Sequence, residues 1–97
     1  MSAVNELSAL SLVKARLNRL PGDTALDDYM MDRITAAAEE LTKTGIKLND
    51  STEDLLLVVD YTVWRYQNRD TPGGMPDWLR LARRERWLRT EATANDS

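Results

Sequence analysis

The chain contains no cysteine and no histidine. That removes thiol chemistry, disulfides, Cys/His zinc sites and imidazole acid–base catalysis together. Its serines and threonines have no histidine to activate them, and no lysine stands at a spacing that would replace one. The expectation is therefore a protein that is not an enzyme and takes no cofactor or metal. Apolar runs are short as well: none reaches the roughly 18 residues of a membrane span. The opening MSAVNELSALSLVKARL lacks a basic region ahead of an apolar one, so nothing reads as a signal peptide. A cytosolic protein without membrane attachment is expected. Proline and glycine are scarce, three and four residues, and the prolines fall where helices stop or start.

What is present is helical periodicity in a chain of 97 residues, 42% hydrophobic and 30% charged, enough for one small domain. A domain this size buries only about 60–65% of its extended-chain surface, which favours added burial through a partner. The net charge of −3 is unevenly placed: residues 1–54 carry 6 basic and 10 acidic side chains, residues 55–97 carry 7 and 6. An acidic whole argues against a protein whose main task is coating DNA, although a basic patch could still touch phosphate.

No segment alternates like a strand, and four helices are expected. The first runs from Ser8 to Leu20, with Leu10, Val13, Leu17 and Leu20 on one stripe and Pro21-Gly22 ending it. The second opens at Asp23 or Thr24, where Thr24 and Asp27 have capping-box spacing; its stripe is Leu26, Tyr29, Met30, Ile34, Ala37, Ala38 and Leu41, and Gly45 closes it. Ser51, Thr52, Glu53 and Asp54 supply a hydroxyl cap and negative charge for a third helix extending to about Asn68. Across LLLVVDYTVWRY this helix is apolar nearly all round, with only Glu53, Asp60 and Gln67 as a polar line. Such a helix must be surrounded, so part of it is expected to meet another copy of the chain. DTPGGM reads as a loop and Pro76 as the first residue of a fourth helix. The expected fold is an all-α bundle of about four helices, the longer second and third packed antiparallel. Residues 1–7 form an N-terminal segment, 8–89 one helical domain and 90–97, TEATANDS included, a polar tail.

The fourth helix holds the densest chemistry: WLRLARRERWLR, Trp78 to Arg89, has five arginines and two tryptophans. Helical spacing puts Trp78, Leu81, Ala82 and Leu88 on one face, expected to meet the core with Glu85 among them. Arg80, Arg83, Arg84 and Trp87 fall on the opposite face. That face could be solvated, with Asp77–Arg80 and Glu85–Arg89 pairs; it could be a protein contact, since arginine and tryptophan concentrate at energetic centres of interfaces; or it could grip nucleic acid. Asp23, Asp27, Asp28 and Asp32 cluster near the start of the second helix, but calcium-loop spacing is absent and a helix N-terminus favours acids anyway. With Glu39 and Glu40 they form an acidic face, of which Asp28, Asp32 and Glu39 are the outward representatives. The helical spacing of Tyr29, Tyr61, Trp64 and Tyr66 places most of them in the core rather than on a stacking platform, and Gly73-Gly74 lacks a P-loop lysine.

Three stretches taken together resemble the small helical head–tail connector (adaptor, or head-completion) proteins of tailed bacteriophages and prophages. They are LSLVKARLNRL; DTALDDYMMDRITAAAEELTKTG, an aspartate-led helix with an alanine-rich centre and a Thr-Gly end; and DLLLVVDYTVWRYQNRD, which finishes in Tyr-x-Asn-Arg. The resemblance covers about Ser8 to Asp70; MPDWLRLARRERWLR is longer and more basic than the family's usual last segment. It implies a structural subunit, many copies of which form a ring on the portal protein at the capsid vertex. The ring prolongs the DNA channel toward a downstream head–tail joining component. It also implies residence in the host cytoplasm during assembly and then at the virion's head–tail junction. DNA would pass nearby without specific binding. Arg69 matches the arginine of Tyr-x-Asn-Arg and is expected to anchor the end of the third helix, on its last carbonyls or on Asp70 or Asp77. Arg80, Arg83, Arg84 and Trp87 are expected to meet acidic groups on a neighbouring subunit or the portal. The competing readings are a helical DNA-binding or DNA-packaging accessory module using the Arg-rich fourth helix, and an inhibitor whose acidic face mimics nucleic acid.

Overall fold

A computed structural model describes residues 5–69 and 74–95. Four helices follow in order: α1 (Glu6–Arg16), α2 (Asp27–Lys43), α3 (Thr52–Gln67) and α4 (Asp77–Asn95). The molecule is an all-helical bundle without strands among the described residues. Most of the DTPGGM loop, the Asp70 partner expected for Arg69, and the ends of both terminal segments lie outside them.

α1 begins two residues before Ser8, because the Asn5 side chain accepts the Ser8 N–H at 3.0 Å and caps it. It also ends well short of Leu20. Asn18 takes φ 60°, and the amides of Asn18 and Arg19 turn back to the carbonyls of Ala15 and Lys14 at 3.1 and 2.8 Å. This is a Schellman closure built on asparagine, upstream of Pro21-Gly22. Leu20 is left 76% exposed, and the buried face of α1 is Ala9, Val13 and Lys14.

α2 starts later than the Thr24/Asp27 spacing suggests. Thr24 to Asp27 form a turn, closed by the Asp27 amide on the Thr24 carbonyl at 3.2 Å, and Asp27 is instead drawn to Lys14 at 2.9 Å. Lys14 is buried and also donates to the Pro21 carbonyl at 3.1 Å, so one ammonium group ties α1 to the start of α2. The predicted α2 stripe packs inward through Met30, Ile34, Ala37, Ala38 and Leu41, whereas Tyr29 is largely exposed. Gly45, at φ 104°, closes the helix, its amide on the Thr42 carbonyl and that of Ile46 on Leu41.

α3 is the hub. It packs against all three other helices, α1 and α2 also pack together, and among the helices α4 packs on α3 alone. Its apolar sides are largely covered inside one subunit: Leu57, Val58, Val59 and Tyr61 are buried, Leu55, Val63 and Trp64 are half-buried, and Leu56 is the exposed one. The other three helices thus cover most of α3, and Leu56 is the part of it that they leave open. Its polar line is a seam between neighbours, Asp60 pairing with Arg16 of α1 and Glu53 with Arg89 of α4.

Candidate functional site

The fourth helix is rolled relative to the sequence expectation. Trp78, Leu81 and Leu88, expected to face the core, are 57%, 49% and 47% exposed, and Ala82 is exposed beside them. Facing inward instead are Leu79, Arg83, Arg86 and Thr90, at spacings of four, three and four residues, which is an equally good helical stripe. Pro76 stands just outside α4, its carbonyl accepting the amides of Leu79 and Arg80. The helix also runs through TEATA to Asn95, so Thr90, expected in the tail, is a buried packing residue.

What sets the roll is a buried ion pair. Asp54, in the first turn of α3, is fully buried, and its two oxygens receive Arg86 Nε at 2.7 Å and Nη2 at 3.0 Å. The rest of the guanidinium is satisfied by the Lys47 carbonyl at 2.5 Å and Thr90 Oγ1 at 2.6 Å. Thr90 Oγ1 in turn accepts the Lys47 amide at 3.3 Å, and Asp54 Oδ2 accepts the Asn49 amide at 2.7 Å. Ser51 caps α3 by accepting the Asp54 amide at 3.2 Å, while the Asn49 side chain takes the Ser51 amide at 2.9 Å. Asp54 thus occupies the third position of a capping box, but its carboxylate turns away from the helix end to hold α4. One network joins the α2–α3 loop, the start of α3 and the middle of α4, and such pairs are worth most when every partner is satisfied.

The remaining α4 side chains divide accordingly. Arg80 bonds to Asp77 at 3.0 Å, as spaced in sequence, whereas Arg89 reaches across to Glu53 in a two-pronged pair rather than to Glu85. The bond to Glu53 holds the Arg89 guanidinium still more firmly protonated. Arg83 is half-buried near Tyr61, and Arg84 is exposed; neither has an ion-pair partner among the described residues. Trp87 lies over Gly45 at the end of α2. The four residues Arg80, Arg83, Arg84 and Trp87 therefore do not form one free surface: Arg83 leans inward and Trp87 packs. Arg69, at the end of α3, donates to the Tyr66 carbonyl at 2.6 Å and stacks over the Tyr66 ring at 4.1 Å.

Beside the outward stripe, a groove of about 250 Å³ runs between α3 and α4, with Leu56, Leu57 and Ala82 as its floor and Glu53, Asp60 and Glu85 along it. Trp78, Leu81 and Leu88 on α4 and Leu56 on α3 are among the large apolar side chains that the fold leaves exposed, as are Leu7 and Leu20. Of the acidic face, Asp23 is bound by Arg19 at 3.1 Å, Asp27 by Lys14, and Glu40 lies 3.8 Å from Arg65; Asp28, Asp32 and Glu39 stay exposed. Among the described residues no group of three or more carboxylates is placed to hold a metal ion.

Tyr61 carries a chemical signature of its burial. Its hydroxyl is pushed above the ordinary phenol value, first by desolvation and then by the charge of Glu40. A group whose folded pKa is raised contributes stability below its unfolded pKa, about 10 for tyrosine, and that stability is lost as pH climbs through the folded value. The wild-type chain is therefore expected to lose stability above about pH 10 faster than Tyr61→Phe does. Urea midpoints of both proteins across alkaline pH check this, and parallel curves would refute it.

No protein-family model, curated protein or solved structure matches this chain.

Proposed function

We propose that this chain is a non-catalytic assembly subunit of the head–tail connector kind, acting as one member of a ring on a portal protein and prolonging a DNA channel. The observation that carries the reading is the uncovered apolar stripe Trp78, Leu81 and Leu88, continued by Leu56, on a helix with ample polar residues to face water instead. Exposed apolar side chains grouped along one helix face mark association sites. The three stretches that resemble connectors lie in α1 to α3, and α4 lies outside that resemblance.

The DNA-binding alternative loses ground to the pairing of its arginines. Arg86 is buried on Asp54, while Arg80 and Arg89 are each held by a carboxylate. Phosphate affinity grows with the number of free cations, and few remain. A salt titration on duplex DNA separates the two readings: tight binding lost steeply between low and moderate salt would favour the module, and no binding at low salt would remove it.

Mass in solution together with particle imaging, for the chain alone and mixed with a portal protein, tests the assembly reading. Oligomers in either condition support it, and a strict monomer in both sinks it. Leu81→Asp with Leu88→Asp is expected to abolish the oligomer while leaving helicity intact, because neither side chain belongs to the core. Arg80→Glu with Arg84→Glu, both at exposed positions, should do the same, and normal assembly of that variant would move the interface elsewhere.

A further inference from the structure

Resting on that assembly reading, we propose that copies of this chain meet head to tail: the outward face of α4 in one copy docks on the acidic stripe of α2 in the next.

Asp28, Asp32 and Glu39 stand four and seven residues apart, so they share one line of α2. The line lies opposite the buried Met30, Ile34, Ala37 and Leu41. All three carboxylates are exposed, and among the described residues no ion pair or hydrogen bond engages their side chains. Their neighbours Asp27 and Glu40 are each tied to a cation from another helix. The basic residue between them in sequence, Arg33, is exposed and lines a small recess with Glu40 of α2 and Arg65 of α3. The stripe is thus an uncompensated negative line. The outward side of α4 offers the complement on one flank: exposed Arg84 has no ion-pair partner among the described residues, Arg80 has only the exposed Asp77, and Leu81 and Leu88 lie beside them. Glu85 stands on the opposite flank, at the α3–α4 groove. Tyr29, beside the acidic line, 42% exposed and edge-on to Tyr66, leaves part of an aromatic ring for those leucines and arginines to pack on.

Charge and topology choose this arrangement over a two-fold one. Pairing α4 with α4 of a second copy would bring the exposed Arg80 and Arg84 of both copies together, and like charges across a contact oppose it. α2 and α4 each pack on α3 but not on each other, so their outer faces occupy different parts of the surface. A contact between two different faces leaves one of each unsatisfied on every dimer, and so continues from copy to copy until it closes as a ring.

The absence of native cysteine makes cross-linking clean. Thr35→Cys places a thiol along the acidic stripe and Leu88→Cys one on the outer face of α4, and neither removes a charge. The full 97-residue variants are mixed and oxidised, alone and with a portal protein. The mixed disulfide is expected to dominate over both symmetric ones, and a chain carrying both substitutions should give a ladder of multimers. Adding Arg84→Glu should suppress the mixed product, and Asp28→Lys with Asp32→Lys on the partner should restore it. A dominant Leu88→Cys symmetric dimer, or indifference to charge reversal, overturns the head-to-tail contact while leaving self-assembly standing. Wild-type subunits that remain single with and without the portal protein, and variants that do not cross-link, remove both.

Discussion

Arg86→Met is expected to destabilise the chain by roughly 3–5 kcal/mol, because it leaves the Asp54 carboxylate buried without its cation. The loss is large beside the total of about 5–15 kcal/mol that a small domain possesses. Asp54 has no route to water, and the two bonds from Arg86 are its only ones from a charged donor. The Lys47 carbonyl and the Thr90 hydroxyl lose a donor in the same step. The effect should be local before it is global. Among the helices α4 packs only on α3, and Leu79 is its one core apolar side chain among the described residues. Amide exchange should therefore show protection falling first along α4 and at Asn49, while α1 to α3 remain comparatively closed. A fall in the urea midpoint equivalent to less than about 1 kcal/mol would mean the pair is not what holds α4.

The same pair explains why α4 sits as it does. The helix has two stripes of comparable periodicity, Trp78/Leu81/Ala82/Leu88 and Leu79/Arg83/Arg86/Thr90, and the more apolar one faces outward. Burial area alone would choose the first. Asp54 reverses the choice, since rolling the apolar stripe inward would leave that carboxylate without a cation. Replacing both partners, Asp54→Leu with Arg86→Met, should accordingly recover much of the stability lost by Arg86→Met but weaken the preference for the observed roll. Trp78 reports the outcome, its emission shifting to the blue if the helix turns over.

Much of this was readable from the residues, and the part that was not has one cause. Helix number and order followed from apolar spacing, and the Ser51 cap, the Gly45 closure and the α2 stripe each stood on a local rule that the tertiary contacts did not oppose. Boundaries moved where a competing interaction was stronger: Asn18 reached the left-handed region before Pro21-Gly22 could end α1, and Lys14 claimed Asp27 from its cap. The roll of α4 depends on a partner 32 residues away, which periodicity within one helix cannot report. A signal did exist. Asp54 shares the line of Leu57, Val58 and Tyr61 on α3, all buried, and a carboxylate in such a line calls for a buried cation. Five arginines of α4 could have supplied it, and only the fit of Thr90 one turn after Arg86 singles one out.

Gly45→Ala is expected to cost roughly 2 kcal/mol, the second largest effect of a single substitution here. Two separate causes add. At φ 104° the backbone is in a region that a side chain strains by about 1–3 kcal/mol, and no relaxation of neighbours removes that part. A Cβ at Gly45 would also stand 2.9 Å from Trp87 Nε1 and 3.3 Å from its Cδ1, so the indole must move. Trp87 is partly exposed and able to shift, but it carries α4's contact with the end of α2. The two causes separate in a cycle with Trp87→Ala, which removes the indole from over the glycine. In that background Gly45→Ala should retain the conformational cost and lose the steric one, so its destabilisation should shrink by about 0.5–1 kcal/mol in urea unfolding. An equal cost in both backgrounds would mean that glycine stands there for its backbone angle alone, and that the close approach of α4 adds nothing to the requirement.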